Sequence, residues 1–226
     1  TGAYADSPAR GRPFGRNEKT GDARISGSLA SLVGLETALQ LGDETKVQCC
    51  IDQILLLHSL IMSFGGIPLL YYGDELGTLN NESFINDAEK AKDSRWIHRP
   101  SYDWQRAELR HQRGSVEQRI FDGLKHMIGV RKSVEAMADF NNRELIDVGN
   151  PHLFVFTRTN LSIPRGSVLV VANFNDAPEQ FNLHDLRNRG RFELGELRDL
   201  LSGTAPSVFN GQLVIPAHGY YWLVGA

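Results

Sequence analysis

One stretch decides the fold of this 226-residue chain: GIPLLYYGDE, residues 66–75. Its apolar centre is short and bounded by glycines, a pattern that predicts a buried parallel strand over 67–72. Pro68 fits only the first residues of a strand because it cannot donate to a sheet. The acidic pair Asp74-Glu75 follows directly. In folds of alternating strands and helices the chemistry lies at the carboxyl ends of the strands, so the stretch predicts half of a strand–helix unit with an acidic end.

Helical patterns lie on both sides of this strand. Ser28–Leu41 has leucines along one side and ends at Gly42, as a glycine-capped helix does. A second helix is predicted from about Glu44 to Phe64, where apolar residues recur at helical spacing and Gly65-Gly66 follow. His58 is interpreted as a packed residue of that helix. A third helix is predicted from about Val116 to Lys132.

Two segments lack such periodicity. Residues 1–28 are rich in glycine, proline and charge, which predicts a loop, either solvated or forming a hydrogen-bonding wall over a polyhydroxyl ligand. Residues 77–115 form a long polar excursion whose aromatic residues favour order. Loops of this length within compact domains are usually functional or disordered.

After about residue 138 short β-type runs replace the helical spacing. They cover 153–159, 167–173, 179–183, 211–216 and 220–224, and they predict a small antiparallel sandwich. The predicted organisation is therefore a loop or inserted subdomain over 1–28, the end of a catalytic domain over 29–138, and a β-sandwich domain over 139–226.

Composition excludes several classes of function. The chain is 41% hydrophobic with a formal net charge of −3, which is typical of globular protein. It lacks the clustered basic face of a protein that binds nucleic acid, and it lacks the long apolar run of a membrane-spanning helix. Cys49 and Cys50 are adjacent, which favours plain thiols over a disulfide or metal site. The cysteine usage favours the cytoplasm without excluding secretion. With no initiator Met, we expect a fragment of a longer protein.

Three groups of motifs indicate a family. The first is residues 66–75, together with the C-terminal LVIPAHGYYWLVG. The second is ARGRPF at 9–14 followed by TGDARISG at 20–27. The third is GTLN at 77–80 followed by DSRWIHRP at 93–100. In this order they resemble the amylosucrases and sucrose hydrolases of the α-amylase superfamily, over essentially the whole chain.

The resemblance implies an α/β fold: the C-terminal part of a TIM (β/α)8 barrel, with its last strand and helices, followed by a β-sandwich C domain. It implies a retaining enzyme that releases fructose from sucrose and passes glucose to an α-glucan or to water. Such enzymes use a carboxylate nucleophile and a carboxylic acid, and they need no metal or organic cofactor. The expected ligands are sucrose, fructose, glucose and an α-glucan acceptor, with no nucleic acid or membrane partner.

The resemblance places no catalytic residue in this chain, because the nucleophilic Asp and the acid/base Glu lie upstream in the family. The resemblance places Asp74 and Glu75 at a strand end, where they are expected either to be structural or to support residues that contact the substrate. Arg95 matches the arginine at the base of the glucose pocket, where a guanidinium can donate several hydrogen bonds to sugar hydroxyls. Arg24 matches an arginine that faces fructose or the acceptor, and Asn17 is expected along the same path. Gly15 and Arg16 replace a Gln-Tyr pair that some members carry.

Three alternatives remain open at this stage. The chain belongs to a sucrose-active enzyme, to another α-glucosidase of the superfamily, or to a non-catalytic carbohydrate-binding module built on the sandwich. The motifs around Arg24 and Arg95 favour the first. Trp96, Trp104 and Trp222 are candidate sugar platforms, although core packing is favoured for all three. A solitary barrel strand leaves its backbone unpaired, so we expect the chain to exist with its upstream part.

Overall fold

The computed structural model describes residues 6–162, 166–186 and 196–225. Contacts divide the chain into two compact units. Unit 1 comprises 1–54 and 70–122, and unit 2 comprises 55–69 and 123–226. The domain limits inferred from the sequence remain predictions.

Unit 1 begins with a small hairpin where the sequence predicted only loop. Strands β1 (Arg12–Phe14) and β2 (Arg24–Ser26) pair antiparallel. That prediction was wrong for these residues, since three-residue strands are too short to show an alternating pattern.

The helices follow their predicted positions, except that one predicted helix is divided and α4 lies within the segment predicted as a polar excursion. Helix α1 (Leu29–Leu32) starts at Ser28, whose Oγ accepts from the Ser31 amide, and α2 (Leu35–Leu41) ends at Gly42. The sequence predicted one helix here, but Gly34 has a φ of 95° and breaks it in two. The remaining helices are α3 (Glu44–Ser63), α4 (Trp104–Glu108) and α5 (Val116–Ser133). No helix in the described part of the chain is long and apolar enough to cross a membrane.

The long excursion 77–115 is ordered, mainly as single turns of 3₁₀ helix. Within it these turns cover Glu82–Asn86, Lys90–Lys92, Ser94–His98 and Leu109–His111, and a further turn, Asp74–Leu76, precedes it. Asn81, Asp93 and Asp103 start three of the helical segments by accepting backbone amides with their side chains.

The predicted strand over 67–72 is not among the strands of the described residues. Ile67 and Leu69 are 84% and 80% exposed, and Tyr71 and Tyr72 are also exposed. Among the described residues no parallel strand lies beside the segment to pair with it, so the strand and the barrel it would belong to are not confirmed.

Unit 2 contains the antiparallel sheets that the sequence predicted. Strands β3 (Arg143–Ile146), β4 (Leu153–Thr159), β5 (Ser167–Asn173), β10 (Tyr220–Gly225) and β7 (Leu197–Asp199) form one sheet, in that order. Strands β6 (Glu179–Asn182), β9 (Gln212–Ile215) and β8 (Val208–Phe209) form the other.

The core of unit 2 lies between these two sheets. Val155, Leu169 and Leu223 of the larger sheet pack with Phe181 and Leu213 of the smaller one. The opposite face of the larger sheet is buried too: Phe156 contacts Phe64 at the end of α3, with ring centroids 5.3 Å apart. Strands buried on both faces read as continuous apolar runs, which explains the sequence of β5.

Candidate functional site

The hairpin of unit 1 is held against the segments that follow Asp74 by three successive residues. Arg12 forms an ion pair of 2.6 Å with Glu82. The carbonyl of Pro13 accepts from Ser94 Oγ at 3.0 Å. The guanidinium of Arg95 lies 4.7 Å from the centre of the Phe14 ring. The two sequence motifs that carry Arg24 and Arg95 therefore meet in one place.

Arg95 is also held by Asp93, two residues earlier. Its Nε lies 2.9 and 3.0 Å from the two carboxylate oxygens, and Nη2 lies 2.8 Å from Oδ2. Hydrogen bonds from the Arg95 side chain lower the pKa of Asp93 to about 2, and the Arg95 backbone amide adds to this effect. The pKa of Arg95 is raised by the same contact. The pair is charged at neutral pH, and among the described residues no hydrogen bond engages Nη1 of Arg95.

Arg24 lies directly opposite Phe14 in the hairpin. Directly paired residues share one face of a sheet, so Arg24 lies on the face that Arg95 covers. Arg24 is exposed, and among the described residues no ion pair engages it.

Asn17 lies in the turn between β1 and β2. Its Oδ1 accepts from the amides of Lys19 and Thr20, at 2.9 and 3.3 Å. Its backbone amide donates to the Asp22 carbonyl. The side-chain oxygen thus stabilises the turn. The side-chain amide nitrogen is the group of Asn17 that could donate a hydrogen bond to a sugar. A ligand role for Arg24, Arg95 or Asn17 remains a prediction.

A pocket of about 260 Å³ lies in unit 1, and it is lined in part by the 3₁₀ helix that carries Arg95. Its lining includes Tyr71, Tyr72, Asp74, Thr78 and His98. Tyr72 donates to the Pro100 carbonyl at 2.8 Å, which fixes one wall. Aromatic rings beside hydroxyl and carboxylate groups suit a sugar, which offers apolar faces and a rim of hydroxyls.

His98, which lines this pocket, carries an unsatisfied polar atom. Its Nδ1 is buried without a hydrogen-bond partner among the described residues. Burial lowers the pKa of His98, and the positive charge of Arg99 lowers it further. The imidazole is therefore neutral at neutral pH. Arg95 and His98 are three residues apart in a 3₁₀ helix, a spacing that places side chains on one side.

Glu75 holds the chain after the exposed segment 67–72. One carboxylate oxygen accepts from the Gly73 amide and the other from Tyr102 Oη, both at 2.8 Å. Burial and the contact with Glu75 raise the pKa of Tyr102 to about 12. Both oxygens of Glu75 therefore stabilise local structure.

The three tryptophans have different environments. Trp222 is fully buried, as predicted. Trp96 lies under the cations of Lys90 and Arg99. Trp104 is 74% exposed and contacts Tyr102 edge-on, so the preference for core packing was wrong for this residue. As the first residue of α4, Trp104 projects from the end of a short helix.

The sequence missed Phe14, Asp93 and His98 as parts of one site. Each lies inside a quoted motif, but a ring 81 positions from its arginine cannot be paired with it by spacing. The one available clue was that two otherwise unrelated motifs both contain arginine beside aromatic residues.

Comparison with known proteins gives distant relatives. No family model matches the chain. A trehalose synthase/amylase, TreS, of Mycobacterium tuberculosis is 25% identical over 195 residues, which are 76% of this chain and 31% of the relative. The homology is weak. The chain spans about a third of the length of this curated relative.

Solved structures show the same fold. AmyP in complex with maltose has a TM-score of 0.57 at 16% identity, covering 77% of this chain and 34% of AmyP. A mutant of the trehalulose synthase MutB in complex with the substrate sucrose has a TM-score of 0.53 at 17% identity, covering 76% and 38%. These proteins are glycoside hydrolases or transferases of the α-amylase superfamily. The antiparallel sheets of this chain resemble the C-terminal regions of such enzymes.

Proposed function

We propose that this chain is part of a retaining sucrose glucosyltransferase of the amylosucrase type, which releases fructose and passes glucose to an α-glucan or to water. The observation that supports this most is the meeting of Arg24, Phe14 and Arg95, since it unites the two motifs that resemble sucrose-active enzymes. The likeness to a structure with bound sucrose supports the same substrate class.

In this proposal the chain binds and orients sugar and leaves bond cleavage to carboxylates in another part of the protein. Arg95 offers a guanidinium that Asp93 and Phe14 hold in place. A fixed cation that donates to sugar hydroxyls positions the reacting carbon, and accurate positioning accounts for a large share of enzymatic rate. Arg24, the exposed residue opposite Phe14 in the hairpin, faces the leaving fructose or the incoming acceptor.

A second candidate is an enzyme for other α-glucosides, favoured by the similarity to a trehalose synthase/amylase. The experiment that separates the two uses the complete product of the gene. It is given sucrose, trehalose and maltose in parallel, and fructose, glucose and glucan are quantified. Fructose release from sucrose supports the proposal, and the ratio of glucose to glucan separates hydrolase from polymerase. Turnover of trehalose or maltose with sucrose untouched favours the second candidate.

Arg95 is the first residue to change in that assay. We expect Arg95→Ala to lower kcat/KM for sucrose about 100-fold, because loss of a positioning contact misplaces the reacting carbon. Arg99→Ala is the matched control: Arg99 is an exposed arginine of the same segment that lies over Trp96. Kinetics like those of the wild type in Arg95→Ala would remove Arg95 from the site.

A further inference from the structure

Phe14 occupies a central position between the two arginines. It is half-buried, and its ring lies 4.7 Å from the Arg95 guanidinium carbon. It is also the residue directly opposite Arg24 in the hairpin. Of the two arginines, Arg95 belongs to the segment 94–98, whereas Arg24 belongs to β2. Phe14 is thus adjacent to both arginines.

The contact between Phe14 and Arg95 restrains one face of the guanidinium. Asp93 restrains its edge, because Nε and Nη2 both donate to the carboxylate. An ion pair at the surface fixes a long side chain poorly when it acts alone. An aromatic ring below the guanidinium adds an attraction that depends on the π system and on the planar shape of arginine.

The hairpin itself is held at the residues beside Phe14. Arg12 pairs with Glu82, and the Pro13 carbonyl accepts from Ser94. Because Ser94 directly precedes Arg95, the backbone carrying Phe14 is tied to the backbone carrying Arg95. The ring therefore has a defined position from which to orient the guanidinium.

We infer that Phe14 is a positioning residue that aligns Arg95 for the sugar ring and couples it to Arg24 on the acceptor side. This inference rests on the proposed function and adds to it a specificity-determining residue that contacts no reacting atom. It predicts that one ring influences both the binding of sucrose and the choice between water and glucan as acceptor.

The test compares Phe14→Leu with Phe14→Tyr in the complete gene product. Leucine keeps apolar bulk and removes the π system, whereas tyrosine keeps the ring. Phe121→Leu is the matched control, because Phe121 is also half-buried in unit 1 and lies 5.8 Å from the guanidinium of Arg110. KM for sucrose and the ratio of glucose to glucan are measured, since loss of folded enzyme lowers the apparent kcat and leaves both unchanged.

We expect Phe14→Leu to raise KM for sucrose about fivefold and to shift the product ratio, with Phe14→Tyr close to the wild type. Wild-type KM and product ratio in Phe14→Leu would overturn the inference, as would equal shifts in Phe121→Leu. A second readout needs no sucrose: the NMR resonance of the Arg95 Nε–H group in the complete gene product, which the ring current of Phe14 shifts. Phe14→Leu should move it and Phe121→Leu should not.

The two readouts separate the possible failures. If the wild-type enzyme releases no fructose while the Arg95 resonance responds to Phe14, the proposed function is wrong and the contact is real. If fructose is released and the Arg95 resonance ignores Phe14→Leu, the positioning inference is wrong and the proposed function stands.

Discussion

Asp93, through its side chain, contacts both the backbone and the side chain of Arg95, two residues later in the chain. It starts the 3₁₀ helix Ser94–His98 by accepting the Arg95 amide at 2.9 Å, and it binds the Arg95 guanidinium. The carboxylate thus aligns the backbone and the side chain of the same residue. Its pKa, about 2, reports both contacts. Because that pKa is lowered on folding, the contact contributes to stability above the unfolded value, about 3.9, and is lost as the pH falls through 2.

The pH dependence of Asp93 is open to direct measurement. We expect the carboxyl ¹³C resonance of Asp93 to titrate with a midpoint near 2 in the wild type. In Arg95→Met the midpoint should rise towards the ordinary value of an aspartate pKa, 3.8, because the main hydrogen-bond donor is gone. Arg99→Met, which removes a weaker and more distant charge, should have a smaller effect. An unchanged midpoint in Arg95→Met would show that the ion pair does not form in solution.

At the scale of the element, the carboxyl end of α3 is held by arginines of unit 2. Arg158 is fully buried and donates to the carbonyls of Ser63 and Asp139. Arg131 donates to the Met62 carbonyl at 2.7 Å. The last carbonyls of a helix lack partners within it, and cations are favourable there. Burial, followed by the charge of Arg131, lowers the pKa of Arg158 to about 10, so it remains protonated at neutral pH.

Removal of Arg158 should leave the buried Ser63 carbonyl without its arginine donor. We expect Arg158→Met to lower the free energy of unfolding of unit 2 by about 3 kcal/mol, measured by urea denaturation. Arg143→Met serves as the control: Arg143 is exposed and stacks on Phe64, so its loss should cost less than about 1 kcal/mol. Equal losses in the two variants would contradict the assigned role of Arg158.

At the scale of the whole molecule, no strand of the described residues pairs with the segment 67–72. Its residues have the apolar composition of a buried strand, yet Ile67 and Leu69 are more than three-quarters exposed. An exposed apolar edge with unpaired backbone groups is prone to association. Our hypothesis is that this segment is a parallel strand in the complete protein, paired with strands from the preceding part of the sequence.

That hypothesis predicts opposite effects in two contexts. In the 226-residue chain, Ile67→Ser with Leu69→Ser should reduce aggregation and binding of a hydrophobic dye. In the complete gene product the same pair should destabilise the protein by about 3–6 kcal/mol, because each side chain then leaves a buried site. Leu161→Ser, at a residue 72% exposed, should be neutral in the complete protein. No destabilisation by the double variant would refute the buried strand.

The sequence by itself determined the features that depend on the local periodicity of apolar residues and on glycines that end helices. It predicted α3, α5, the glycine cap of α2 and most of the sandwich strands. In each helix and strand the spacing of the apolar residues shows which face is buried. The sequence also identified Arg24 and Arg95 as candidates through their motifs. The tertiary structure alone decided which rings and acids meet those arginines. Phe14 and Arg95 are brought together by chain folding, and no pattern within either segment encodes the other. Whether residues 67–72 form a strand depends likewise on neighbouring strands. A parallel strand forms only where a neighbour hydrogen-bonds its backbone N–H and C=O groups.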